Sequence, residues 1–154
     1  MKFKALSRLE TTLGKRGVNQ ILVKPFNFML DDDECSVPLG FESDRASVPR
    51  VFWNIIPPMG KYSIPALIHD LLYRIHVIRA WKPCEEGIPR TVYKNGEWSQ
   101  TEDLWTTVDT PCSKAQADTI FLELMILYRV SKWRRQIMYR SVKWFGKKSW
   151  DANG

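Results

Sequence analysis

The sequence predicts an α+β fold: a small antiparallel sheet or pair of hairpins in the N-terminal third, packed by three main helices. Three observations predict it. Residues 19–30 (NQILVKPFNFML) are rich in β-branched and aromatic types, which suit a pleated, half-buried surface. Leu67, Ile68, Leu71, Leu72 and Ile75 recur at helical spacing. Ser113-Lys-Ala-Gln116 has the form of a capping box that opens another helix.

In chain order, Leu22, Phe26, Phe28 and Leu30 share one parity and form the expected core face, interrupted by the strand-breaking Pro25. The acidic turn Asp31-Asp32-Asp33 leads to a second extended segment, 35–41 (CSVPLGF), and the two predict a hairpin. Residues 44–53 (DRASVPRVFW) read as a structured loop. Ser63 offers an N-cap for a helix over 64–77, with Pro65 tolerated in its first turn. The polar stretch 81–110 reads as an excursion holding a small hairpin, 90–93 and 97–99, around the turn pair Asn95-Gly96. The capped helix extends to about Val130 with Ile120, Phe121, Leu124, Met125 and Leu127 inward. A last helix over 132–145 ends at Gly146, read as a left-handed C′ residue. No repeat or linker divides the chain, so residues 1–154 read as one domain.

Composition narrows the partners. A net charge of +6 favours an anionic small molecule, a lipid headgroup or nucleic acid, without choosing among them. Much of the excess lies between Arg129 and Lys148. Three cysteines (Cys35, Cys84 and Cys112) form no paired spacing and read as free thiols of a reducing compartment. No segment has the form of a signal peptide, and none approaches the roughly 20 apolar residues of a membrane span. A P-loop, a dinucleotide-binding glycine fingerprint, an H-E-x-x-H helix and the zinc-deaminase signature are absent.

Chemistry concentrates at His69, Asp70 and Tyr73. His69 and Tyr73 stand four apart and share a helix face; Asp70 lies about 100° away. Either His69 is a base or metal ligand and Asp70 a metal ligand, or His69 is a hydrogen-bonded core residue and Asp70 faces water. Asp118 sits before an apolar run, where an inward carboxylate needs a partner. His69 is a suitable one. Asp118 would then fix the imidazole tautomer and leave the other ring nitrogen to deprotonate water. Asp44 is a candidate further carboxylate for a metal, and Ser47 a weak nucleophile, unless both only hydrogen-bond local backbone. Arg50, Arg79 and Arg140 are candidate anion-binding residues. The last helix carries Trp133, Ile137, Arg140 and Trp144 on one face, a pattern suited to a membrane surface or nucleic acid, or simply to a solvated face. His76, near the end of its helix, reads as incidental.

Three segments together resemble a known family. They are 37–50 (VPLGFESDRASVPR), 65–73 (PALIHDLLY), and Ala117-Asp118-x-x-Phe121 with 138–146 (MYRSVKWFG). They resemble the domain-of-unknown-function family 1353. The resemblance spans about Gln20 to Gly146, with 81–110 as an insertion. It implies a phage or prophage product, placed in the bacterial host cytoplasm or the virion, with phage structural proteins among its partners. A more local similarity links His69-Asp70-x-x-Tyr73 and Asp118 to phospholipases of the A-two class. That similarity implies that His69 activates water, Asp118 orients it, Tyr73 braces Asp118 and Asp70 helps bind calcium. The glycine-rich calcium loop of those enzymes is missing here.

The expectation is therefore a hydrolase built on His69 and Asp118, with a divalent metal (calcium or magnesium) at Asp70 and Asp44, acting on an anionic phosphodiester or ester. The alternative is a non-enzymatic virion, assembly or host-factor-binding protein, in which the same residues form a structural polar network.

Overall fold

The computed structural model describes residues 1–14, 20–43 and 61–153. They form the predicted α+β fold. The order is β1 (Phe3–Ala5), β2 (Thr11–Leu13), β3 (Gln20–Leu22), β4 (Phe26–Leu30), β5 (Asp33–Val37), β6 (Glu42–Ser43), α1 (Ser63–Ile75), β7 (Val77–Ile88), β8 (Thr91–Lys94), β9 (Glu97–Gln100), β10 (Trp105–Pro111), α2 (Lys114–Leu127), α3 (Lys132–Phe145) and α4 (Lys147–Ala152). The chain divides into two compact units. One comprises Met1–Thr12, Ile21–Glu42 and Ile78–Thr110; the other comprises Leu13–Gln20, Ser43–Val77 and Pro111–Gly154.

The first unit is built on a five-stranded sheet, β1-β4-β5-β7-β10. β4 and β5 form the predicted hairpin, with Phe26 opposite Val37 and Leu30 opposite Asp33. Its turn is tight because Asp31 accepts a left-handed φ of 54°. The expected parity holds: Phe26, Phe28 and Leu30 are buried, as is Leu22 beyond Pro25. The Phe3, Phe26 and Phe28 rings stack in series. Between them, Asn27 is buried too, because its amide donates to Thr91 O and accepts from Ser36 Oγ.

The stretch 81–110 does more than carry a hairpin. β7 and β10 are strands of the main sheet, and β7 pairs with β5 through Cys35–Ala80 and Glu34–Trp81. The hairpin is the β8–β9 pair; Asn95 and Gly96 take φ of 53° and 80°, the double left-handed turn that such sequences favour. The Arg90 guanidinium is buried near the Trp81 and Trp105 rings and pairs with Glu34.

The second unit is helical. α1 starts at Ser63 itself, after a Tyr62 N-cap without a side-chain bond, so Ser63 is not the cap. It ends two residues earlier than expected, because His76 takes φ of 58° and returns its N–H to Leu72 O. α2 has the full capping box between Ser113 and Gln116. It stops at Leu127, and Leu127 is exposed: the inward positions are Ala117, Asp118, Phe121, Leu124 and Met125, a stripe from which residue 127 is rotated away. Tyr62, Phe121, Met125, Val130, Met138 and Val142 close the apolar core of this unit.

Gly146 corrects one expectation. Its φ is −76°, so no left-handed C′ residue ends α3, and the chain turns directly into α4. Glycine serves there by lacking a side chain. A Cβ would fall 2.5 Å from the Tyr73 hydroxyl and collide with Val142 O.

The cap at Ser113 fixes the start of the helix that carries Lys114 and Asp118. Ser113→Ala is expected to cost about 1 kcal/mol, read as a lower urea midpoint at unchanged slope. An unchanged midpoint would show that packing alone sets that terminus.

Candidate functional site

The site is built within the helical unit from α1 and α2. α1 is buried at Pro65 and at each residue from Leu67 to Tyr73, so its polar groups must find partners inside the protein. His69 and Tyr73, one turn apart, both reach Asp118 on α2. His69 Nε2 lies 2.9 Å from Asp118 Oδ1, and the Tyr73 hydroxyl donates to the same oxygen at 2.6 Å. Lys114, one turn before Asp118, donates from Nζ to Oδ2 at 2.7 Å. One buried carboxylate thus collects three donors.

The electrostatics follow from this count. Burial pushes the Asp118 carboxyl up, but the hydrogen bonds from His69, Lys114 and Tyr73 outweigh it and hold the group below its ordinary value of 3.8. Asp118 is therefore ionised and can only accept, so Nε2 carries the hydrogen of the imidazole bond. Among the described residues, this is the hydrogen bond that the imidazole makes. Burial pushes the Tyr73 phenol far up, and its bond to Asp118 adds to the effect, so Tyr73 remains an O–H donor. Burial, then the Asp118 charge, also raises the Cys112 thiol. Cys35, in the other unit, is pushed up to about 12 by burial and then by Asp33; neither thiol is a ready nucleophile. All three cysteines are free.

Packing holds the donors in place. The His69 ring stacks on Phe121 at 4.5 Å and leans on Tyr73 at 4.1 Å. Trp150 of α4 meets Tyr73 edge-on and stacks flat on His76 at 3.7 Å. Lys114 Nζ also donates to Val142 O at 2.9 Å and Lys143 O at 3.4 Å, so it ties Asp118 to the last turn of α3.

Lys114 and Trp150 are the site residues that sequence reasoning missed. Lys114 had a signal, since it stands four residues before Asp118 on a helix. Trp150 had none. His76, read as incidental, belongs to the aromatic stack, and its Nε2 is buried without a hydrogen-bond partner among the described residues.

The remaining candidates separate. Asp70 is buried, and its Oδ2 accepts a 2.6 Å bond from the Ser43 hydroxyl. Among the described residues, no group of three or more His, Cys, Asp or Glu side chains converges to hold a metal ion, so these residues do not make up a cation site by themselves. Asp44, Ser47 and Arg50 lie outside the described residues. Arg79 belongs to the other unit, where its guanidinium is committed to Asp109 through bonds of 2.8 and 2.9 Å. Arg140 is exposed on α3.

A family model described as a protein of unknown function, DUF1353, matches residues 21–142. The chain belongs to this family. The DUF1353 match contains His69, Tyr73, Lys114 and Asp118; Gly146 and Trp150, which pack on Tyr73, lie beyond its end. No curated protein and no solved structure matches the chain.

Because the folded-state value of Asp118 is depressed, its stabilisation is present above the unfolded value. It is lost as pH falls from about 4 toward the folded value. Asp118→Asn is expected to cost about 3 kcal/mol near neutral pH. In urea unfolding over a pH series, stability should fall less steeply for the variant than for the wild type below about pH 4. Parallel curves would contradict this account of the carboxylate.

Proposed function

We propose that His69 and Asp118 activate water for hydrolysis of an ester or phosphodiester on an anionic substrate. The observation that carries this reading is the direction of the imidazole bond. With Nε2–H given to Asp118, the lone pair of a neutral ring is left at Nδ1, where no described residue hydrogen-bonds it. Nδ1 would take a proton from water as the oxygen attacks the carbonyl carbon or phosphorus. The same proton would then go to the departing oxygen. Lys114 supports this role, because its ammonium binds Oδ2 and leaves Oδ1 to the imidazole. Tyr73 supports it by fixing the carboxylate oxygen that His69 uses. The similarity to phospholipases of the A-two class would give His69, Asp118 and Tyr73 these same roles.

A second reading rests on burial. His69 is 2% exposed, Tyr73 2% and Asp118 3%, as expected of a polar network that pins α1 to α2 in a non-enzymatic phage component.

A panel of aryl esters, aryl phosphodiesters and dispersed phospholipids separates the two. In the hydrolase reading, His69→Ala lowers kcat/KM by about 100- to 10,000-fold while the circular-dichroism spectrum is retained. Equal turnover by wild type and variant would remove His69 from the reaction. No turnover on any member, together with a loss of several kcal/mol in the variant, would favour the structural network.

A further inference from the structure

The last helical segment carries a surface that the site does not use. From Leu124 to Trp150 the sequence contains eight Lys and Arg residues and no Asp or Glu. At 100° per residue, Trp133, Ile137, Arg140 and Trp144 fall within about 60° of one another on α3. The structure exposes Trp133, Arg140 and Trp144 and leaves Ile137 half-buried between them. Trp133 is 53% exposed and Trp144 65%, about 16 Å apart along the helix axis. Met138, Ser141 and Val142 are the residues α3 buries, on the other side. Phe145 is also largely exposed, and so are Ile126 and Leu127 at the end of α2, just before the turn into α3. Lys132, Arg140, Lys143 and Lys148 are exposed around these rings.

Two tryptophans held in water beside a one-signed charge need a partner that rewards both. A polar protein surface would leave the rings wet. Nucleic acid would use the charge and can stack on aromatic rings, but it takes aliphatic side chains as single wedges between base steps and not as a patch beside the rings, as Ile126 and Leu127 stand here. The interface of an anionic bilayer takes all three: indole rings at headgroup depth, aliphatic groups below them, and lysine and arginine against the lipid phosphates. We propose that the Trp133–Arg140–Trp144 face of α3 docks on an anionic phospholipid bilayer. The docking does not depend on the hydrolase reading, since a chain without turnover presents the same face. It does place the bilayer on the helix whose last carbonyls hold Lys114, and through it Asp118.

Sedimentation of the full chain with vesicles tests the proposal. At low salt the protein is expected to pellet with phosphatidylcholine vesicles containing about one third phosphatidylglycerol, and not with pure phosphatidylcholine. Arg140→Gln with Lys143→Gln should weaken partitioning about 25-fold, or about fivefold per charge. Trp133→Ala with Trp144→Ala should weaken it at least about tenfold. Both pairs are exposed, and each variant is checked for a wild-type circular-dichroism spectrum. Failure of the wild type to pellet with the anionic vesicles would overturn the proposal. So would partitioning that neither folded variant changes, or vesicle binding weaker than binding to duplex DNA at the same salt. His69→Ala should pellet like the wild type, which keeps this outcome separate from any result on hydrolysis.

Discussion

The helical unit is organised around one buried negative charge. A carboxylate removed from water is tolerated only when protein donors replace its hydration. Asp118 obtains them from two helices. His69 and Tyr73 come from α1, and Lys114 comes from its own helix, α2. Each donor is then held by something else: the imidazole by Phe121, the phenol by Trp150, and the ammonium by the carbonyls of Val142 and Lys143. Moving any one of these elements would leave a charge unpaired in the interior, so the polar cluster ties α1, α2 and α3 together.

The same arrangement sets what the site can do. Lys114 and His69 divide the carboxylate between them, the ammonium on Oδ2 and the imidazole on Oδ1. A ring bound through Nε2 turns its other nitrogen away from the carboxylate. The proposed hydrolase reading rests on that orientation.

Part of this was legible in the sequence. His69 and Tyr73 stand one helical turn apart, and Asp118 directly precedes an apolar run, so spacing and polarity offered a shared buried site as one of two readings. Ser113 and Gln116 marked the start of α2 for the same reason: the chemistry is local. Lys114 was hidden because a lysine at the first position of a helix reads as solvated until the carbonyls of α3 are seen beside it. Gly146 read as a left-handed C′ residue, which its φ of −76° contradicts; its use as a gap for the Tyr73 hydroxyl is a demand that only tertiary packing makes. β1 and β2 span three residues each and show no periodicity. β7 and β10 are half-exposed or exposed over most of their length, so their polar sequence read as an excursion although they complete the main sheet. Gly40 and Phe41, read as part of the second strand, instead reach Leu22 through backbone bonds after β5 has ended.

The most direct test is the position of one hydrogen. Long-range proton–nitrogen correlation spectra of histidine-labelled protein at pH 7, assigned with His76→Gln, report the tautomer of His69. The expected result is that the neutral form of the ring carries its hydrogen on Nε2, facing Asp118, and leaves Nδ1 unprotonated. A neutral form with its hydrogen on Nδ1 would contradict it.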